Sequence, residues 1–147
     1  MIRLAPAAAL ALLSAAPALA QPMEAWWQRG WVAATMDCPR CSPDLRRDHL
    51  TFMGRTITFA PGRFDNPLYE SCARPDYAEI IPRSRAEVEQ TFRGLWPVPR
   101  LAADRPLAGM VICIDERGDR HRLGYFVFDA PDRAYYRWEG GTVVTLR

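Results

Sequence analysis

No lysine occurs in this 147-residue chain: its 19 basic residues are all arginine, set against 17 acidic residues for a formal charge of +2. We read the arginine bias as codon usage rather than as a binding surface. So small an excess excludes a chain whose main work is gripping phosphate backbones. Histidine is nearly absent too. His49 and His121 are the only two, and neither falls in H-E-x-x-H or another metalloprotease spacing. Past the N-terminal segment the only serines are Ser42, Ser71 and Ser84, none of them in G-x-S-x-G. There is no Gly-rich phosphate loop, no EF-hand spacing and no internal repeat. A hydrolase therefore has no supporting constellation, and the expectation is a protein that is not an enzyme and carries no cofactor. What remains, 49% hydrophobic and 24% charged residues, is ordinary globular composition at a length that suits one domain.

One long apolar run is present, at the N-terminus. Arg3 precedes it, and Ala18-Leu19-Ala20 ends it. That is the n-region, h-region and A-x-A site of a secretory signal, with cleavage expected before Gln21. Pro6 and Pro17 interrupt the run, and it is too short for a membrane anchor. The first cysteine is Cys38, which argues against a lipid-anchored form. The expectation is a signal peptide over residues 1–20 and one domain over residues 21–147, periplasmic or secreted.

Export places the four cysteines where thiols tend to pair. Four cysteines allow three connectivities. In the loop-entropy model, closing Cys72 to Cys113 is worth about 4 kcal/mol and closing Cys38 to Cys41 about 2 kcal/mol. Cys72–Cys113 is therefore expected as the structural staple. Cys38 and Cys41 pose a separate question.

The patterning is mostly β. Apolar, β-branched or alternating runs cover residues 30–35, 55–60, 110–114, 122–128, 133–138 and 142–146, with shorter ones at 67–72 and 77–81. The last four runs read as an antiparallel meander, and Gly140-Gly141 marks the hairpin between the final two. Two helices interrupt the strands. The first has Ser42 as cap and Pro43 in its first turn, stops at Gly54, and carries Leu45, His49 and Phe52 on one face. The second opens with the capping box Ser84-Arg85-Ala86-Glu87 and presents Val88, Phe92 and Leu95 as a stripe. Residues 97–108 read as a linker. The expected fold is mainly β: a small antiparallel, lipocalin-like barrel or strongly curled sheet with two short helices. Barrel closure suits a free-standing exported domain because it removes open strand edges.

Gly30-Trp31, the run Gly54-Arg55-Thr56-Ile57-Thr58-Phe59, Cys72 with Pro75-Asp76-Tyr77, Val111-Ile112-Cys113, and Gly141 with Leu146-Arg147 together carry a likeness. On these positions the chain resembles the small lipocalin-like, calycin-type exported proteins of Gram-negative bacteria. The resemblance implies a barrel with a binding or inhibitory role and brings no catalytic residues.

Chemistry has one specific foothold, the string Met36-Asp37-Cys38-Pro39-Arg40-Cys41. Two thiolates at C-x-x-C spacing with a methionine nearby form a soft-ligand set for Cu(I) or Zn(II). The string resembles the loop of heavy-metal-associated domains, and its C-P-x-C core resembles the redox loop of glutaredoxin-like folds, where a helix N-terminus lowers a thiol's pKa. The β-rich remainder follows neither family. The leading expectation is a local structural disulfide, with a soft-metal site (Cys38, Cys41, Met36) or a redox pair as alternatives. His49 is expected to be partly buried, and His121 to face water. Asp115, Glu116 and Asp119 read as a solvated turn. The aromatics cluster, and strand alternation makes Trp31, Phe126, Phe128, Tyr136 and Trp138 a candidate ligand-binding set. The leading functional expectation is an exported, non-enzymatic module that binds a small apolar ligand or an envelope protein. Near-neutral charge argues against nucleic acid.

Overall fold

The computed structural model describes residues 25–68, 71–93, 99–138 and 141–147. The expected signal peptide, Leu95 of the second helix's stripe, Pro97 and Val98 of the linker, and Gly140 of the last hairpin lie outside the described residues. Within them the chain runs β1 (Gly30–Asp37), α1 (Pro43–Phe52), β2 (Thr56–Ala60), β3 (Arg63–Asp65), β4 (Pro75–Asp76), β5 (Ile81–Pro82), α2 (Arg85–Thr91), β6 (Leu107–Ile114), β7 (Arg120–Ala130), β8 (Arg133–Trp138) and β9 (Thr142–Leu146). The four C-terminal strands form the expected antiparallel meander. β9 then pairs with β1, β1 with β2 and β2 with β3. The result is a mainly β, nearly closed antiparallel barrel. No helix among the described residues is long and apolar enough to cross a membrane.

Cys72 stands at the seam. The sheet's two ends are β3 and β4. Cys72 exchanges both backbone hydrogen bonds with Phe64 of β3, at 2.9 and 2.7 Å. Its side chain reaches the other end of the sheet through a disulfide to Cys113 of β6, with Cα atoms 5.8 Å apart. Cys113 in turn pairs with Pro75 of β4. The staple expected from loop length is thus a covalent closure of the barrel.

Alternation along the strands builds two apolar layers. Trp31, Ile57, Phe59, Phe64, Phe126, Phe128 and Tyr136 fill the interior. Val127 and Tyr135 point the opposite way and pack beneath α2 against Val88 and Phe92. The capping box of α2 forms as expected from Ser84 and Glu87. Gly109 allows the chain to close over β6: a Cβ there would collide with the carbonyl of Glu79.

Several expectations are corrected. Of the strand expected over 67–72, residues 69 and 70 lie outside the described residues, and the others do not form it: Asn66 turns the chain by accepting from Leu68 N through its side chain, and Cys72 makes only an isolated bridge. Tyr77 begins a turn instead of a strand, and pairing falls on β4 and β5 to either side. The Tyr77 hydroxyl lies 3.0 Å from Ala60 O and 3.2 Å from Arg63 O, tying down the β2–β3 hairpin. Burial pushes that phenol's pKa well up. β3, unforeseen, follows directly on the Pro61-Gly62 turn. The supposed linker ends early, because Leu107–Gly109 already pair with β7.

One carboxylate anchors that linker at Ala102 and Ala103. Asp129, 6% exposed, accepts hydrogen bonds from Ala102 N and Ala103 N at 2.9 Å and from Arg133 Nη2 at 2.8 Å. Replacing Asp129 with alanine strands two backbone donors, so the expected loss is about 1–3 kcal/mol of unfolding free energy. Urea titration of the variant checks this, and an unchanged midpoint would show that the segment is anchored elsewhere.

Candidate functional site

The barrel interior is filled by its own rings. Trp31 and Phe126 are 0% exposed, and Phe128 and Tyr136 are 1%. Phe126 stacks on Tyr136 at 4.6 Å between centroids, and Phe128 packs 5.7 Å from Trp31 and 5.0 Å from Trp27. A ligand among these four side chains would have to displace them. Trp138 stands apart from this stack. Its ring lies 4.3 Å from that of His49 and 5.7 Å from Phe52, which places it beside the cysteine pair.

That pair is positioned by a strand end and a helix start. β1 stops at Asp37, and a turn closes with Cys41 N donating to Cys38 O at 3.3 Å. Ser42 then caps α1 by accepting from Leu45 N, with Pro43 first in the helix. Both were expected, since proline fixes φ and lacks the N–H that the first turn would leave unpaired. The sulfurs of Cys38 and Cys41 lie at disulfide distance, with Cα atoms 5.4 Å apart. Cys41 is thus one residue ahead of the helix cap, near the positive end of the macrodipole.

α1 brings His49 back to this point. It lies seven residues past the cap, two turns on and so on the same face. Its Nδ1 is 3.6 Å from Cys41 Sγ, and Thr142 Oγ1 from β9 reaches the same sulfur at 3.6 Å. The imidazole is 3% exposed and its Nε2 has no hydrogen-bond partner. Desolvation lowers its pKa, outweighing the raising effect of Asp48, so the ring is neutral at pH 7. Leu45, expected on the buried face, is exposed instead, while His49 and Phe52 carry that face.

A cleft of about 520 Å³ opens over the pair. Met36, Pro39, Leu50 and Met53 give it apolar walls, Cys38 and His49 line it, and Arg46 supplies charge. The sequence points to Cys38, Cys41 and Met36, favours partial burial over ligation for His49, which would join a metal site only if turned towards the thiols, and offers no sign of Met53. The signal for His49 was the seven-residue step from the cap.

The other polar cluster is less organised. His121 Nε2 meets Asp115 Oδ2 at 3.0 Å on the surface, as expected of a solvated turn. Asp115 also accepts from Arg117 N and Asp119 N. The hydrogen bond to His121, before the others, holds its carboxyl below the usual range. Ser71 lines the same hollow and its side chain is hydrogen-bonded to Asp65. No protein-family model matches the chain, and none of the curated proteins or solved structures compared with it is significantly similar.

Proposed function

We propose that this protein is an exported binding module rather than an enzyme, that its working site is the cleft over Cys38 and Cys41, and that the pair is a thiol–disulfide couple opened and closed there. The barrel, like that of the lipocalin-like proteins it resembles, serves as a rigid carrier. The observation that supports the reading is the buried imidazole 3.6 Å from Cys41 Sγ. A disulfide acting only as a clip has no need of it, whereas exchange does. A reductant's thiolate attacks Cys38 Sγ from the cleft, the S–S bond breaks, and the electron pair leaves on Cys41. That charge forms beside the Thr142 hydroxyl and His49 Nδ1 and ahead of the helix N-terminus, where a thiolate is favoured. The reductant's second thiol then resolves the mixed disulfide. Two electrons and two protons have passed to the pair, and the reductant is left as a disulfide.

A second reading keeps the cleft and drops the covalent step. Leu50 is 67% exposed on the cleft wall, which favours a small apolar ligand or an envelope protein seated there. Mild treatment with a dithiol separates the two. If the pair is a working couple, two alkylated cysteines, Cys38 and Cys41, appear by mass on a chain whose near-UV circular dichroism is unchanged, with Cys72–Cys113 intact. Opening of the pair only on unfolding favours the second reading.

A further inference from the structure

We infer that the reduced protein holds one Cu(I) ion between the thiolates of Cys38 and Cys41 and the imidazole of His49. The inference rests on the reading that the pair opens reversibly. One sulfur from each cysteine and one ring nitrogen of His49 lie within 4.8 Å of one another. Three donors bound to a common ion at about 2.0–2.3 Å can stand at most about 4.6 Å apart. The set is therefore nearly contracted enough without backbone movement. Once the S–S bond is gone, the sulfurs need only part from bonding distance to the roughly 4 Å that separates two thiolates on one ion, which side-chain rotation on Cα atoms 5.4 Å apart allows. Each thiol loses its proton on binding, so two protons are released per ion taken.

The histidine is the informative member. Phenylalanine would pack against Trp138 as well and leave no polar atom stranded. Instead the position holds a nitrogen ring that is 3% exposed, aims Nδ1 at Cys41 and leaves Nε2 without a partner. A polar group is kept in such a place when something needs its lone pair. The surroundings choose the metal. Met36 and Met53 line the same cleft, and thioethers are soft donors suited to Cu(I). Zn(II) favours four ligands, and the carboxylate on this wall, Asp37, is exposed. Two thiolates around Cu(I) leave one negative charge, in a cleft whose wall carries the charges of both Arg46 and Asp37.

The test uses the purified protein, reduced with a dithiol, freed of reductant without oxygen, and titrated with Cu(I) against a chromophoric Cu(I) chelator. A parallel sample is alkylated to count free thiols. The expected result is one ion per chain, with X-ray absorption showing sulfur and nitrogen neighbours. Cys38→Ser abolishes it, which also shows that Cys72 and Cys113 hold none. His49→Phe, which keeps a ring against Trp138, stays folded by circular dichroism, loses the nitrogen neighbour and binds at least about tenfold more weakly. Free thiols without copper binding would overturn the metal site and leave the redox couple standing. Thiols that cannot be freed in the folded chain would sink both. Unchanged affinity in His49→Phe would remove the histidine from the site, and Zn(II) retained against Cu(I) would overturn the choice of metal.

Discussion

Truncating Phe126 to alanine is expected to lower the free energy of unfolding by about 3–5 kcal/mol, a large share of the roughly 5–15 kcal/mol that holds a small domain together. The ring is 0% exposed and stands where β6, β7 and β8 meet, paired with Gly109 on one side and Tyr136 on the other. It stacks on Tyr136 with planes 9° apart and meets Phe59 edge-on at 5.0 Å and Phe64 at 5.8 Å. Rings this interlocked collapse poorly around a void, so the cost includes both lost burial and a cavity. Guanidinium titration measures it. A loss below about 1 kcal/mol would mean that the interior tolerates space, and would return the barrel lumen to consideration as a ligand site.

Cys113→Ser is expected to cost about 2–5 kcal/mol. Two effects combine. The unfolded chain regains the freedom of a long loop, and in the folded chain Cys72 loses its covalent tie across the seam to β6. The same substitution at Cys41 should cost less, because its loop is short. Thermal or denaturant unfolding of both variants, without reductant, gives the comparison. Equal losses would show that the seam is held by strand pairing alone.

Where local chemistry decides the structure, the sequence was legible. Ser42 with Pro43, and Ser84 with Glu87, announce helix starts because few other residues satisfy the first-turn amides, and both caps form. The meander was legible through alternation. Its boundaries were less so, because β6 is buried on both faces around Ala108 and Val111 and carries no alternation to read. Between Ser71 and Ile80 the sequence misleads, because pairing there depends on partners outside the segment. Cys72 follows Phe64, and Pro75 and Asp76 follow Cys113 and Ile112. The candidate site was half legible. Cys38 and Cys41 declare themselves by spacing, but Thr142 comes from the last strand, and no local pattern could have placed it at the sulfur.

On the proposed reading Cys38–Cys41 is a working couple while Cys72–Cys113 is a fixed staple. Equilibrating the folded protein across a graded series of thiol–disulfide buffers, then trapping and weighing each pair, tests it most directly. Stabilisation of the Cys41 thiolate by Thr142, His49 and the helix N-terminus favours the reduced form and raises the potential of that pair above that of the staple. The predicted result is a Cys38–Cys41 potential above about −300 mV, within reach of physiological dithiols, with Cys72–Cys113 below that value. Two pairs that open together, or a Cys38–Cys41 pair more resistant than the staple, would contradict the account.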